Sequence, residues 1–446
     1  MRANWRVFFC LMREIAKGIV RKLRDGGYEA FFVGGCVRDG LLGIEPNDFD
    51  IATDALPNEI ERLFPQTVGV GKQFGVVMVL EGGEEFQVAT FRVESGYADA
   101  RRPDDVTFCD ARTDAERRDF TVNGLFLDPL TGVLYDWVGG QADMKARLLR
   151  TIGNPEERFR EDHLRLLRAV RFAAQLDFEI DESTFVAVRH LAENIKTVSA
   201  ERIRDELIKL FRPPHAARGL DLLCASGLMA HVIPELLLTI DCEQSPDYHP
   251  EGNVYNHIRL ALENLPAGAS SMLPWTLLLH DIGKPVTSST GADGRIHFYG
   301  HERVGADMAE AILERLRFPR KRIDDIVFTV RHHMQFKDAP KMRKATLRRM
   351  LLRPTFELEL EQHRLDCLAS HGQLDILHFL KKEQMVLDEQ PELIPPIVCG
   401  NDLIEMGIKP GPAMGDLLET IRDKQLAEEF TTREQVVAWV KEKTAQ

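Results

Sequence analysis

At Asn154-Pro155 the chain changes its hydrophobic period, and that switch constrains the fold more than any other feature. Between residues 28 and 140, short apolar runs alternate with glycine turns. Ala30-Phe-Phe-Val, Phe49-Asp-Ile, Phe74-Gly-Val-Val-Met-Val-Leu, Glu85-Phe-Gln-Val-Ala-Thr-Phe and Leu134-Tyr-Asp-Trp read as strands. The stretches 14–24 and 56–63 read as helices. After Pro155 the pattern is almost wholly helical. Strands segregated from helices give an α+β chain. We expect a small α/β head with a mixed sheet, then an all-α neck, body and tail. Breaks at Arg212-Pro-Pro, Pro246–Gly252, Ser288–Gly294 and Pro391–Gly400 set the divisions at 1–152, 153–240, 241–385 and 386–446.

Within the head, Asp48 and Asp50 follow a glycine turn, Val33-Gly-Gly-Cys-Val-Arg-Asp. Carboxylates at i and i+2 on a strand point to one face. There they can hold Mg²⁺ ions that also grip a nucleoside triphosphate. Downstream, Glu116-Arg-Arg-Asp-Phe-Thr-Val-Asn brings Arg118, a fork of donors suited to phosphate, beside Asn123, suited to a ribose hydroxyl or a phosphate.

The helix expected from Asn154 carries Phe159, His163, Leu166, Leu167, Val170 and Ala174 in one stripe at about 100° per residue. Asp162, Arg165, Arg168 and Arg171, spaced by three, occupy the remaining surface. An acceptor beside donors complements the exocyclic amine and ring nitrogen of cytosine or adenine. Uracil and guanine place a carbonyl where the amine belongs, and a carboxylate repels it. The competing reading is an i,i+3 ion pair on a solvated helix.

Composition narrows the setting. Seven cysteines without a CxxC pair suggest reduced thiols in the cytosol. Apolar runs are too short to span a bilayer, and Val7-Phe-Phe-Cys-Leu-Met ends at Arg13, short of a signal core. A formal net charge of −13 leaves any nucleic-acid contact to local basic patches. Pro319-Arg-Lys-Arg and Lys341-Met-Arg-Lys-Ala-Thr-Leu-Arg-Arg fit either phosphate contact or solvated helix faces.

A second series lies in the body: His257, His280-Asp281, His301, His332-His333 and Asp366. Imidazoles with carboxylates suit Mn²⁺, Ni²⁺, Fe²⁺ or Co²⁺. The candidate ligand set is His257, His280, Asp281, His301, His332 and Asp366.

Taken in order, Gly34-Gly-Cys-Val-Arg-Asp, Asp48-Phe-Asp, Arg117-Arg-Asp-Phe-Thr-Val-Asn and Glu161-Asp-His-Leu-Arg-Leu-Leu-Arg-Ala-Val-Arg-Phe resemble the bacterial class II tRNA nucleotidyltransferases. These CCA-adding enzymes are relatives of bacterial poly(A) polymerases. Ser199-Ala-Glu-Arg-Ile-Arg-Asp-Glu-Leu resembles their neck motif, and the body series resembles the HD phosphohydrolases. The resemblance implies that Asp48 and Asp50 hold two Mg²⁺ ions. It implies that Gly35 and Arg38 contact the triphosphate and that Arg118 binds the incoming nucleotide. Asp162 and Arg165 would select CTP and then ATP for a tRNA 3′ end, with Arg168 and Arg171 supporting the pocket. Glu94–Asp104 resembles the loop used for the terminal A. Gly69-Val-Gly-Lys-Gln-Phe-Gly-Val-Val resembles the CCA-adding form rather than the poly(A) form. The HD body would add metal-dependent phosphatase or cyclic phosphodiesterase activity. Poly(A) polymerase, an A-only enzyme, and an HD phosphohydrolase with a nucleotide-binding head are the alternatives. Two departures stand out. Gln87 replaces a Glu, for which Glu85 on the same strand face is the candidate substitute, and Gly124 replaces an Ala.

Overall fold

The computed structural model describes the chain apart from residues 1, 47, 70–73, 96–104, 247, 293, 391–393 and 445–446, and apart from the side chains of 2–10, 94–95, 105–106 and 444. It divides into two compact units, Met1–Pro234 and Glu235–Gln446.

The first unit opens with helix α1 (Arg2–Asp25), includes helices α2 (Gly35–Leu41) and α3 (Pro57–Leu63), and continues through strands β1 (Ala30–Val33), β2 (Asp50–Thr53), β3 (Thr67–Val68), β4 (Val76–Glu81), β5 (Glu84–Thr90), β6 (Arg92–Ser95), β7 (Asp105–Phe108), β8 (Phe126–Leu127) and β9 (Leu134–Tyr135). Seven of these form a sheet of order β3-β4-β5-β2-β1-β8-β9, while β6 and β7 pair separately. The sheet is mixed, with β2 parallel to β5 and β1 antiparallel to β2.

Period-2 alternation decides what each face does. Phe31, Val33 and Ala52 share one face and bury against Ala111 and Ala115 of helix α4 (Ala111–Glu116). Val33 pairs with Asp50 across the strands, so Asp50 stands at the open end of that same apolar face. The five strands expected from sequence are present. The two-residue strands β3 and β8 and the pair β6–β7 were not expected, since two residues carry no period. Loop Glu94–Asp104 and the stretch from Gly69 fall largely outside the described residues (96–104 and 70–73).

The helix expected from Asn154 is two helices, α5 (Pro155–Glu161) and α6 (Leu164–Leu176). Asn154 accepts from the N–H groups of Glu156 and Glu157 to start the first. Asp162 breaks the run in extended conformation, φ −143° and ψ 105°. The single stripe therefore fails across this corner. Beyond it, α6 buries Leu166, Leu167, Val170 and Ala174 as expected, and α7 (Ala200–Leu210) packs beside it.

Among the described residues the regular structure of the second unit is helical apart from a short hairpin, Ser289–Thr290 with Ile296–His297, whose first strand falls in the segment Ser288–Gly294 read from sequence as a break. Helices Val254–Glu263, Leu273–Leu279, His301–Arg315, Arg320–His332 and Phe356–Ala369 bring the histidine series together. A separate cluster of Val398, Leu403, Met414, Ile421, Phe430, Val436 and Val440 forms the tail core. Among the described residues, no helix is long and apolar enough to cross a membrane.

Candidate active site

All ten nucleotide-site residues singled out from sequence, in head and neck, line one cavity of about 910 Å³ in the first unit. Gly34 makes the turn that opens it. Its φ is +72°, and a Cβ there would meet Arg118 Nη1 at 3.3 Å and Asp50 Oδ2 at 3.9 Å. The glycine thus lets a guanidinium and a carboxylate close on the backbone.

Asp50 is largely buried, and burial first, then the charge of Asp48, lifts its pKa from 3.8 to about 6, with Arg118 opposing the rise. Two acidic side chains, one of them desolvated, form a site that favours a cation. The buried Cys36 thiol is pushed up to about 12 by its burial and then by Asp50, so it is a neutral packing group and not a nucleophile.

The third-carboxylate question resolves by register. Gln87 lines the cavity, whereas Glu85, opposite Leu80, sits two residues nearer the β4–β5 turn and is not among the lining residues. Glu85 does not substitute.

Two buried aspartates organise the arginines. Asp114 pairs with Arg117 at 2.7 Å and Arg118 at 3.0 Å, and the Arg118 guanidinium lies 5.0 Å from the Phe126 ring centre. Asp119 takes Arg168 at 2.6 Å on one oxygen, and on the other accepts from the Phe120 and Asn123 side at 2.8 and 3.1 Å. Burial opposes ionisation of Asp119, but Arg168 and Asn123 hold its carboxyl well below the usual range. Asn123 is bonded at both ends, since its Oδ1 accepts from Arg38 Nη1 at 2.7 Å. It lines the cavity itself and holds Arg38 there.

Asp162 and Arg165 line the same cavity but do not pair with each other. Asp162 Oδ1 accepts from Leu164 N–H at 3.0 Å, and Oδ2 binds Arg202 of α7 at 2.8 Å. Arg165 donates to Arg158 O at 2.9 Å and pairs with Glu161. Arg171 is fixed by Glu206 at 2.5 Å, both buried. Sequence reasoning gave no role to Asp114, Asp119, Arg202 or Glu206. Three of them stand inside strings already quoted, Arg117-Arg-Asp and Ser199–Leu207.

In the second unit, five of the six candidate ligands converge. His257 Nε2 lies 3.0 Å from Asp366, 3.2 Å from His280 Nε2 and 3.8 Å from Asp281. His301 Nε2 lies 3.4 Å from Asp281 and 3.3 Å from His333 Nε2. His332 is the exception. Its Nδ1 bonds Phe328 O at 2.8 Å, and its ring lies on Phe328 with centroids 4.0 Å apart. His333 takes its place, because the helix ends at His332 and the next residue turns inward. Three triads could each hold an ion: His257–His280–Asp281 and Asp281–His301–His333 share Asp281, and His249–Glu251–His257 shares His257 with the first.

Gly283 makes this convergence geometrically possible. A Cβ there would lie 2.4 Å from His301 O and 2.6 Å from Gly305 N. Lys284, unassigned from sequence, is buried with Nζ 2.7 Å from Asp281 and 2.6 Å from Gln244. Burial drives the His333 pKa down to about 3, with His280 adding to the fall, so its lone pair is available. Burial alone would lower His257 too, but bonds to Asp366 and Glu251 raise it to about 9. In the metal-free form imidazolium His257 and Lys284 balance Asp366 and Asp281, and an ion would displace the His257 Nε2 proton.

The basic tracts are committed in part within the second unit. Arg320 pairs with Glu310, Glu314 and Asp324. Arg348 is buried on Glu428 and Leu426 O, and Arg349 pairs with Glu419 and Asp423. These pairs tie Arg320, Arg348 and Arg349 to the helices around them, and the pairs named leave Lys321, Arg322, Lys341 and Arg343 open to either reading.

Comparison with known proteins agrees with this partition. Residues 30–150 match the poly A polymerase head domain, 177–238 a probable RNA and SrmB-binding site of polymerase A, and 253–368 the HD domain. A CCA-adding enzyme of Limosilactobacillus reuteri is 46% identical over 216 residues, covering 48% of this chain and 53% of that relative. One from Levilactobacillus brevis is 41% identical over 283 residues, covering 62% and 66%. The chain thus spans about half the length of the first of these curated relatives. The crystal structure of Bacillus stearothermophilus CCA-adding enzyme in complex with CTP superposes with a TM-score of 0.74 at 27% identity, covering 97% of each chain.

Proposed function

Because the chain belongs to the tRNA nucleotidyltransferase and poly(A) polymerase family and carries an HD domain, we propose that it adds C, C and A to tRNA 3′ ends from CTP and ATP without a nucleic-acid template. One observation carries the reading. The acidic pair and the Asp162–Arg165 corner face a single cavity large enough for a nucleotide. Asp48 and Asp50 would hold Mg²⁺, which when bound activates the RNA 3′-hydroxyl and braces the leaving pyrophosphate. Arg38, aimed by Asn123, and Arg118, held by Asp114, bind the triphosphate over the Gly34-Gly35 turn. Asp162 accepts the exocyclic amine of cytosine or adenine, and Arg165 donates to the ring nitrogen. Arg168 and Arg171, tied to Asp119 and Glu206, keep that wall in place.

The same reading divides the chain into head 1–152, neck 153–240, HD body 241–385 and tail 386–446, and sets the reaction in the cytosol. The six described cysteines are free, in keeping with that setting. The HD cluster fits a transition ion such as Mn²⁺, Ni²⁺, Fe²⁺ or Co²⁺ and a phosphohydrolase activity, with His333 in place of His332. Poly(A) and A-only synthesis use the same head. Transcripts ending before CCA, after C and after CC, incubated with each nucleotide and sequenced, separate the three. Products of exactly C-C-A from the first transcript support the proposal, and homopolymeric A refutes it. Loss of all incorporation in D50A, with HD phosphatase retained, excludes the reading in which the head only binds nucleotides.

A further inference from the structure

Glu251 is a buried carboxylate that the chemistry above leaves without a task. It lies just before helix Val254–Glu263, and its side chain is 4% exposed. One oxygen, Oε1, accepts from His257 Nδ1 at 2.7 Å and from His249 Nδ1 at 2.8 Å. The other, Oε2, is buried without a hydrogen-bond partner among the described residues.

The neighbouring ligands show what such a bond accomplishes. His280, His301 and His333 each tie Nδ1 to a backbone carbonyl three residues earlier, at 2.8, 2.8 and 2.7 Å. Each therefore presents Nε2 to the cluster. His257 presents Nε2 as well, but its Nδ1 goes to a side chain. It is fully buried, so water cannot replace that partner. We infer that Glu251 is the positioning residue of the HD metal centre: it fixes the tautomer and ring plane of His257 and raises the basicity of its Nε2. The inference rests on the metal reading of that cluster. The shared oxygen also orients His249, a residue of the cavity wall whose ring stands edge-on to His257 at 5.1 Å and 86°. One carboxylate thus ties a metal ligand to the wall that faces substrate.

The test titrates Mn²⁺ calorimetrically into full-length protein carrying D48A and D50A, which silence the head. Glu251→Met keeps the shape and removes the acceptor. Its affinity should fall about 10- to 100-fold. Glu251→Gln keeps an acceptor oxygen and should bind within about fivefold of the parent, a rescue that packing alone does not predict. An E251M protein that binds as tightly as the parent, or an E251Q protein as weak as E251M, overturns the role. A parent that takes up no Mn²⁺ overturns the metal reading and this inference with it. Should E251M not fold, ¹⁵N-histidine spectra of the parent loaded with diamagnetic Zn²⁺, where the ion replaces the Nε2 proton, decide: a proton held on His257 Nδ1 supports the role, and a bare Nδ1 overturns it.

Discussion

Replacing Asp50 with Asn should make the metal-free head more stable while abolishing incorporation. The pKa of Asp50 stands at about 6 against an ordinary 3.8, chiefly through burial. At about 1.4 kcal/mol for each tenfold, keeping it ionised costs the fold about 3 kcal/mol. The sign follows from linkage. The folded chain holds this proton more tightly than the unfolded chain, so the penalty is full above pH 6. It shrinks as pH falls through 6 towards 3.8, to about 1 kcal/mol at pH 4.5. D50N keeps the shape and loses the charge. Urea unfolding in EDTA should show a gain approaching 3 kcal/mol at pH 8 and about 1 kcal/mol at pH 4.5. Adding Mg²⁺ should stabilise the parent and leave D50N unmoved. A D50N protein no more stable than the parent at pH 8, or a gain that is flat with pH, would refute the reasoning.

Three further outcomes are expected. Arg165→Ala or Arg202→Ala should cut discrimination of CTP and ATP against UTP and GTP by at least about tenfold, since a bidentate base contact is worth about 1–3 kcal/mol; competition assays read this, and unchanged preference counts against the Asp162 edge. His333→Ala should weaken or remove Mn²⁺ binding by the second unit while His332→Ala leaves it intact; calorimetry distinguishes them. Gly283→Ala drives a methyl against backbone atoms at 2.4 and 2.6 Å, so it should cost about 1–3 kcal/mol or more and loosen the metal cluster, seen as a lower melting temperature and weaker Mn²⁺ uptake.

Much of the head was readable because its signals are local. Ala30–Val33 is a continuous apolar run, and Asp48 and Asp50, two residues apart, both line the cavity although the strand begins only at Asp50. What escaped was set by contacts distant in sequence. No helical period reveals that Asp162 leaves the helix, because its extended backbone is held from forty residues away by Arg202. His332 and His333 are adjacent and chemically alike. Only the helix end decides which faces Asp281 and which lies on Phe328. Asn123 suits substrate by its chemistry, and only the fold shows that Arg38 and Asp119, each placed by other elements, also hold the two ends of its amide.

The anchoring of Asp162 has a consequence for how two different nucleobases can be read at one place. Its oxygens are tethered to two separate helices, one to the start of α6 and the other to α7. A carboxylate moored at both ends cannot swivel, and each oxygen still has a spare lone pair at a fixed bearing. On the proposed function the protein would carry a stiff ruler in the place where a polymerase copying a strand puts the pairing base of its template. On that function such a ruler would measure only the edge that cytosine and adenine have in common, so the order of addition would have to be set by something other than this residue.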